Sequence, residues 1–205
     1  MALVFVAGLL PTAHLAWAYF THQLSANPLD DLTDVTGTWT LRFLILTLSC
    51  TPIRMIFRWN DAVRFRRRLG LFAFFYGTLH FLTWAILDRY ISLDFPDGAL
   101  SWSAVRTFAA SVGEDIYKRK FITAGFAAFV AMWPLAITST TGMIRRLGGR
   151  RWQRLHRLIY FSAVAAVIHY TWLVKSDIRR PMTYGLIVAI LLGFRLYWAR
   201  RSIDA

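Results

Sequence analysis

The stretch at residues 69–87 reads LGLFAFFYGTLHFLTWAIL and decides the fold class. It contains no Asp, Glu, Lys or Arg, and His80 is its only histidine. A helix that crosses the hydrocarbon core of a bilayer needs about 20 mostly apolar residues. The stretch therefore predicts a membrane-spanning helix that carries one histidine in its interior.

Five further stretches match the same template, at residues 1–22, 38–57, 121–141, 155–174 and 182–198. The hydrophobic fraction of the 205 residues is 57%, above the roughly 45–50% that is usual for proteins. This composition excludes a disordered chain, a collagen and a disulfide framework. We therefore expect an all-α membrane protein, a bundle of six transmembrane helices that forms a single domain over residues 1–205.

The first stretch also resembles a signal peptide, because Ala16-Trp17-Ala18 has the small-x-small pattern of a cleavage site. A signal peptide begins with basic residues, and none precedes this stretch. We therefore expect it to be retained as the first span.

Basic residues alternate between the predicted loops. The stretches 54–68 and 145–157, taken with the C-terminal Arg195, Arg200, Arg201 and Asp204, hold 15 bases and two acids. The stretches 27–37, 88–120 and 175–180 hold eight bases and nine acids. The positive-inside rule then predicts that both termini are cytoplasmic. Topology thus explains the net charge of +13, and no nucleic-acid partner is expected.

Two histidines are predicted to lie at similar depth in the membrane. His80 follows Leu69 by 11 residues, or about 16 Å of helix, and His169 follows Leu155 by 14 residues, or about 21 Å. Both helices start on the cytoplasmic side, so the two imidazoles can face each other and bind one haem iron axially. Such an iron has no open position and suits electron transfer.

A second site is predicted at His156, about 20 Å nearer the cytoplasm than His169. On a straight helix the two side chains point about 140° apart, so they do not share one face. Arg67, Arg68 and Arg151 are expected at the membrane edge near His156, where guanidinium groups bind haem propionates or a flavin phosphate.

The sequence contains few candidate ligands for a metal site other than a haem iron. Zinc sites use three or four N, S or O ligands, and no acid or cysteine lies beside His80 or His169 in the sequence. The single cysteine, Cys50, excludes an intramolecular disulfide and a thioether-bound haem.

A set of short motifs resembles the MsrQ family, also called YedZ. The motifs are Thr36-Gly37-x-Trp39, Thr47-Leu48, Thr51-Pro52-Ile53-Arg54, Arg67-Arg68-Leu69-Gly70-Leu71, Leu79-His80, Ile122-Thr123-x-Gly125, Leu135-Ala136-x-Thr138-Ser139, Arg146-Leu147-Gly148, Trp152-Gln153-x-Leu155-His156-Arg157-Leu158-x-Tyr160 and His169-Tyr170-x-Trp172-x-Val174-Lys175.

The resemblance implies a ferric-reductase-like transmembrane protein of the bacterial inner membrane. It implies one or two b-type haems bound through His80, His156 and His169, with FMN as a further cofactor. It also implies electrons from the quinone pool or a cytosolic flavin reductase. The acceptor would be MsrP, a periplasmic molybdopterin enzyme that reduces methionine sulfoxide in proteins. Such a subunit is not catalytic alone.

Two alternatives stay open. One is a ferric-chelate reductase. The other, from a different class, is a proton-coupled transporter with histidine relays, although no internal inverted repeat is seen. If the chain is instead the electron-transfer subunit that the resemblance implies, the 88–120 connection is expected to form a periplasmic docking surface through Asp94, Asp97, Glu114 and Asp115.

Overall fold

A computed structural model of the chain describes residues 2–93 and 101–201. Over these residues it is helical with short connections and without strands. The helices are α1 Ala2–Phe20, α2 Pro28–Phe57, α3 Ala62–Leu82, α4 Trp102–Lys118, α5 Lys120–Ile137, α6 Thr141–Leu147, α7 Gly149–Leu155, α8 Leu158–Leu173 and α9 Arg179–Arg201. A π-helical segment, Thr83–Tyr90, continues α3.

The all-α membrane class is confirmed. Five helices in the described ranges are long and apolar enough to cross a membrane: α1, α2, α3 with its π-helical extension, α5 and α9. The predicted span at 155–174 corresponds to α8, which has 16 residues and a length of about 24 Å. The count of six spans and the cytoplasmic termini stay predictions.

One predicted loop is wrong. Residues 28–37 form the first turns of α2, which runs unbroken from Pro28 to Phe57. Proline is well tolerated at the start of a helix. The carboxylates of Asp30 and Asp31 in the first turn interact favourably with the positive end of the helix dipole. The acids that mark a loop by composition here stabilise a helix start.

Two helix pairs form the centre of the bundle. α2 packs along α3, and α5 packs along α8. Small residues allow close approach, because Ala73 on α3 and Ala163 on α8 are fully buried. α9 packs against α8 and α2, whereas α1 lies on α3.

Tyr76 ties α1 to the bundle. This side chain is fully buried, and its hydroxyl donates to the carbonyl oxygen of Gly8 at 2.9 Å. It also accepts from the hydroxyl of Thr12 at 2.8 Å. A tyrosine hydroxyl buried in an apolar core needs such partners, so α1 has a fixed register on α3.

Ion pairs hold the helix α4 to the end of the π-helical segment. Asp115 is 5% exposed and forms ion pairs with Arg89 and, at 3.3 Å, with Nε of Arg119. The prediction that Asp115 belongs to a docking surface is therefore wrong. Glu114 is exposed and contacts Lys118 at 2.5 Å, and this hydrogen bond lowers the pKa of the carboxyl group. Asp94 and Asp97 lie outside the described residues.

Candidate functional site

His80 and His169 face each other across the two helix pairs. His80 comes from α3 and His169 from α8. Their ring centres lie 6.0 Å apart, and the ring planes cross at 80°. Both line one cavity of about 450 Å³, which we call the paired-histidine cavity. The depth predicted from helix rise therefore matches the observed placement of the two side chains.

Hydrogen bonds fix both imidazoles in one tautomer. Nδ1 of His80 lies 3.0 Å from the carbonyl oxygen of Thr33 on α2. Nδ1 of His169 lies 2.6 Å from the carbonyl oxygen of Phe121 on α5. A carbonyl only accepts, so each Nδ1 carries a proton and donates it. Each Nε2 therefore keeps a lone pair, as in protein sites where a second bond orients a ligating histidine.

Two glycines make these hydrogen bonds sterically feasible. Gly37 follows Thr33 by four residues, and Gly125 follows Phe121 by four residues. In a helix the carbonyl of residue i is bonded to the N–H of residue i+4, so a side chain at i+4 lies nearby. A Cβ on Gly37 would lie 2.9 Å from Cε1 of His80, and one on Gly125 would lie 2.6 Å from Nδ1 of His169.

Sequence reasoning did not assign these two glycines to the site. The usable signal is an isolated glycine inside an apolar helical pattern, which costs helix stability and therefore indicates a packing role. Gly37 and Gly125 both occur in the quoted motifs, yet only the structure shows which imidazole fills the space beside each.

The paired-histidine cavity fits a haem by its donor set. A metal–nitrogen bond is about 2 Å long, and an imidazole centre lies about 1 Å beyond its nitrogen. Two axial imidazoles on one iron therefore have centres roughly 6 Å apart, close to the 6.0 Å observed. No group of three or more His, Cys, Asp or Glu side chains able to hold a metal occurs among the described residues. Two nitrogens suit an iron that a macrocycle already coordinates.

The walls of this cavity are mostly apolar. Phe81, Phe129 and Met132 line it, together with Gly77 and Leu44. Such walls exclude water around a flat ring. One end is polar and is lined by Asp30, Asp34, Asp88 and Arg119, so carboxylates outnumber the single guanidinium there.

A second cavity of about 360 Å³ lies further along the bundle, and we call it the arginine cavity. Arg54, Arg66, Arg67 and His156 line it, and its lining contains no carboxylate among the described residues. Met132 lines both cavities. The predicted Arg67 is therefore beside His156, whereas Arg68 and Arg151 line neither cavity.

His156 is held differently from the facing pair. Its Nε2 lies 3.0 Å from Oγ1 of Thr138, whose own hydroxyl donates to the carbonyl oxygen of Pro134. The hydroxyl has one proton, so Nε2 of His156 is the donor and Nδ1 keeps the lone pair. The ring also stacks on Trp152 at 3.8 Å.

The helical offset predicted between His156 and His169 does not apply. α7 ends at Leu155 and α8 begins at Leu158, so His156 lies in the break between them. The 140° angle assumed one straight helix through both histidines. The break explains how His156 reaches the arginine cavity while His169 faces the other one.

Arg195 was counted with the charges of the C-terminal end, and the structure shows what it contacts. It lies inside α9, where its guanidinium donates to the carbonyl oxygen of Leu48 on α2 and to the hydroxyl of Tyr160 on α8, both at 2.7 Å. The sequence feature that indicates an interior arginine is the position of Arg195 within the apolar stretch 182–198. An arginine there is costly unless the bundle interior binds it.

Comparisons with known proteins agree with this geometry. Residues 7–167 match the family described as ferric reductase like transmembrane component. The chain is 46% identical over 200 residues to the protein-methionine-sulfoxide reductase heme-binding subunit MsrQ of Herminiimonas arsenicoxydans, covering 97% of this chain and 84% of that protein. It is 47% identical over 201 residues to the MsrQ of Ralstonia nicotianae, covering 97% and 85%.

A third relative, the MsrQ of Bordetella pertussis, is 46% identical over 204 residues, which cover 98% of this chain and 91% of that protein. No solved structure matches the chain.

Proposed function

The chain belongs to the MsrQ family, within the ferric-reductase-like transmembrane group, and we propose on that premise that it is the haem-binding electron-transfer subunit of a protein-methionine-sulfoxide reductase system. It crosses the inner membrane of a bacterium six times, with both termini in the cytoplasm. Electrons reach it from the quinone pool or a cytosolic flavin reductase. They leave to a periplasmic MsrP-like molybdopterin reductase.

The facing pair of His80 and His169 carries this proposal. Their ring-centre separation of 6.0 Å and their free Nε2 atoms support axial binding of one b-type haem. When bound, a haem held by His80 and His169 would supply one-electron transfer.

The residues around the pair hold and orient it. The carbonyl oxygens of Thr33 and Phe121 accept the Nδ1 protons, which fixes the rings and makes Nε2 a better ligand. Gly37 and Gly125 provide the space for the rings. Apolar side chains such as Phe129 exclude water, and a low local dielectric helps to set the redox potential.

A second cofactor occupies the arginine cavity in this proposal, either another b-type haem at His156 or FMN. Arg67 binds its carboxylate or phosphate group, because a guanidinium pairs with such groups through two hydrogen bonds. Arg68 and Arg151 are assigned a weaker role at the membrane edge, where their charges attract the same anions before binding.

In this proposal electrons pass from the arginine cavity towards the paired-histidine cavity, a direction that the charge pattern supports. The arginine side is the cytoplasmic one by the positive-inside rule, and α4 lies with the acidic end that faces the periplasm. The exposed Glu114 on α4 is available to a partner, and an encounter between redox proteins needs only a small interface.

The test uses the purified protein, reduced with dithionite without air. Adding an MsrP-like reductase and a protein that contains methionine sulfoxide should oxidise the haem, as measured by loss of the reduced absorption band. Adding ferric citrate alone tests the ferric-chelate alternative. Oxidation by ferric citrate but not by the reductase would overturn the proposed partner.

A further inference from the structure

Arg195 is a cation inside the bundle without a carboxylate partner among the described residues. Its Nη1 donates to the hydroxyl of Tyr160 at 2.7 Å, and its Nη2 donates to the carbonyl oxygen of Leu48 at 2.7 Å and to Oγ1 of Thr51 at 3.1 Å. The guanidinium carbon also lies 5.1 Å from the centre of the Tyr160 ring. Every one of these partners is neutral.

One donor of Arg195 remains unused. Its Nε is buried and has no hydrogen-bond partner. A buried donor without a partner costs roughly 1–3 kcal/mol, and more when it is charged. The guanidinium is therefore oriented by α2 and α8 but is not fully satisfied by them.

Arg66 supplies a second guanidinium, which is half-buried. Arg66 on α3 lines the arginine cavity, and Arg195 binds Leu48 and Tyr160, which directly follow the lining residues Thr47 and Ile159 in the chain. Neither forms an ion pair in the described part of the chain. Two like charges in a low-dielectric interior are unfavourable together, so this arrangement fits a protein that neutralises them with a bound anion.

We propose that Arg66 is the anion-binding end of the arginine cavity and binds the anionic group, and that Arg195, which is not a lining residue, supplies a second charge from behind it. The ligand chemistry is a phosphate monoester or a carboxylate on the cofactor of that cavity. This inference rests on the proposed function, which puts a cofactor there.

The two charges come from different helices. Arg66 lies on α3, whereas Arg195 lies on α9, Arg179–Arg201. Arg67 contributes from the cavity wall but does not share the buried environment.

The experiment compares FMN with riboflavin, which has the same ring system without the phosphate. Both are titrated into the full-length protein in detergent, and flavin fluorescence gives the dissociation constants. Haem per chain is measured on the same samples, with His156→Ala defining the haem that depends on His156. The variants are Arg66→Gln and Arg195→Gln.

Arg42→Gln is the matched control. Arg42 is also an arginine inside a spanning helix, and its Nε donates to the hydroxyl of Tyr184 at 3.1 Å. It lines neither cavity, so its removal changes the charge of the bundle without changing the proposed anion site. Arg195→Lys, which keeps the charge, replaces Arg195→Gln if the latter does not fold, and Arg66→Gln then carries the loss of charge.

If the anion is a phosphate, Arg66→Gln and Arg195→Gln each weaken FMN binding at least about tenfold, while riboflavin binding and the Arg42→Gln protein stay unchanged. If it is a haem propionate, both variants lose the His156-dependent haem and keep the His80–His169 haem. Flavin and haem binding equal to that of Arg42→Gln in both variants would overturn the inference alone. A wild-type protein with neither FMN nor His156-dependent haem would overturn the second cofactor and the inference together.

Discussion

The paired-histidine cavity and the arginine cavity share Met132 as a wall and differ in nearly everything else. The first has two imidazoles at 6.0 Å, both with a free Nε2, and a carboxylate-rich end. The second has one imidazole whose Nε2 is already bonded to Thr138, and its charged lining is entirely basic among the described residues. The first offers two nitrogen ligands, whereas the second offers one nitrogen and a basic lining.

The ligand pair arises from one local arrangement used twice. On α2, Thr33 supplies a carbonyl and Gly37 the adjacent space, and α3 brings His80. On α5, Phe121 and Gly125 do the same for His169 on α8. The arginine cavity has no second histidine among its lining residues. Its single imidazole donates a hydrogen bond to the hydroxyl of Thr138 instead of to a main-chain carbonyl oxygen.

The largest expected effect comes from removing one member of the pair. His80→Ala and His169→Ala should each abolish the same haem, because either change leaves the iron with one axial imidazole. His156→Ala should keep that haem. The measurement is haem per chain by pyridine haemochrome, with protein yield as a control for folding. Complete loss of haem in all three variants would mean one shared site and would remove the distinction between the cavities.

A smaller but still large effect is expected from adding one methyl group beside each ring. Gly125→Ala and Gly37→Ala place a Cβ within 2.6 and 2.9 Å of an imidazole atom, and such overpacking costs roughly 1–3 kcal/mol. Haem should be lost more readily to apomyoglobin, with Gly125→Ala the more severe. Gly193→Ala, where a Cβ meets nothing within 4 Å, is the control. Haem retention equal to that control would show that the glycines do not position the rings.

The opposite charges of the two cavities should tune redox potential in opposite directions. Asp34→Asn and Asp88→Asn each remove a negative charge near the His80–His169 haem, so its midpoint potential should rise. For a charge about 10 Å away and an effective dielectric constant of 20–80, the shift is roughly 20–70 mV. Arg67→Gln should lower the potential of a cofactor in the arginine cavity. Redox titration of each variant checks both signs, and shifts of the same sign would contradict the charge comparison.

The smallest effect is expected at the surface. Glu114→Lys should slow electron delivery to a periplasmic reductase and change its salt dependence, because an exposed charge mainly affects the encounter rate. The haem spectrum should be unchanged. Asp61→Lys is the control, since Asp61 is also exposed and pairs with Arg64 on the predicted cytoplasmic side. Equal rates for both variants would argue against docking on α4.

The sequence predicted the bundle and the facing histidines because helix rise is nearly constant. Counting residues from Leu69 and Leu155 sufficed to bring His80 and His169 to one depth. It could not predict the break between α7 and α8, since nothing in the apolar pattern marks His156 as outside the helix. It also read Asp30 and Asp31 as loop residues, although acids are favourable in the first turn of a helix.

Arg195 and the two glycines show a second limit of prediction from sequence. A charge count grouped Arg195 with the C-terminal end, and the tertiary contacts with Leu48 and Tyr160 show which helices bind it. The roles of Gly37 and Gly125 depend on which side chain from another helix enters the space beside them. Such information belongs to pairs of helices and is not carried by one stretch of sequence.

Electron paramagnetic resonance of the oxidised protein tests the haem assignment most directly. Axial imidazole planes that cross near a right angle leave two iron d orbitals nearly equal in energy, which makes the low-spin signal strongly anisotropic. The planes of His80 and His169 cross at 80°, so we expect this signal in the wild type and in His156→Ala, and its loss in His80→Ala and His169→Ala. A purely high-spin signal, or survival of the same strongly anisotropic low-spin signal in His80→Ala and His169→Ala, would contradict the assignment.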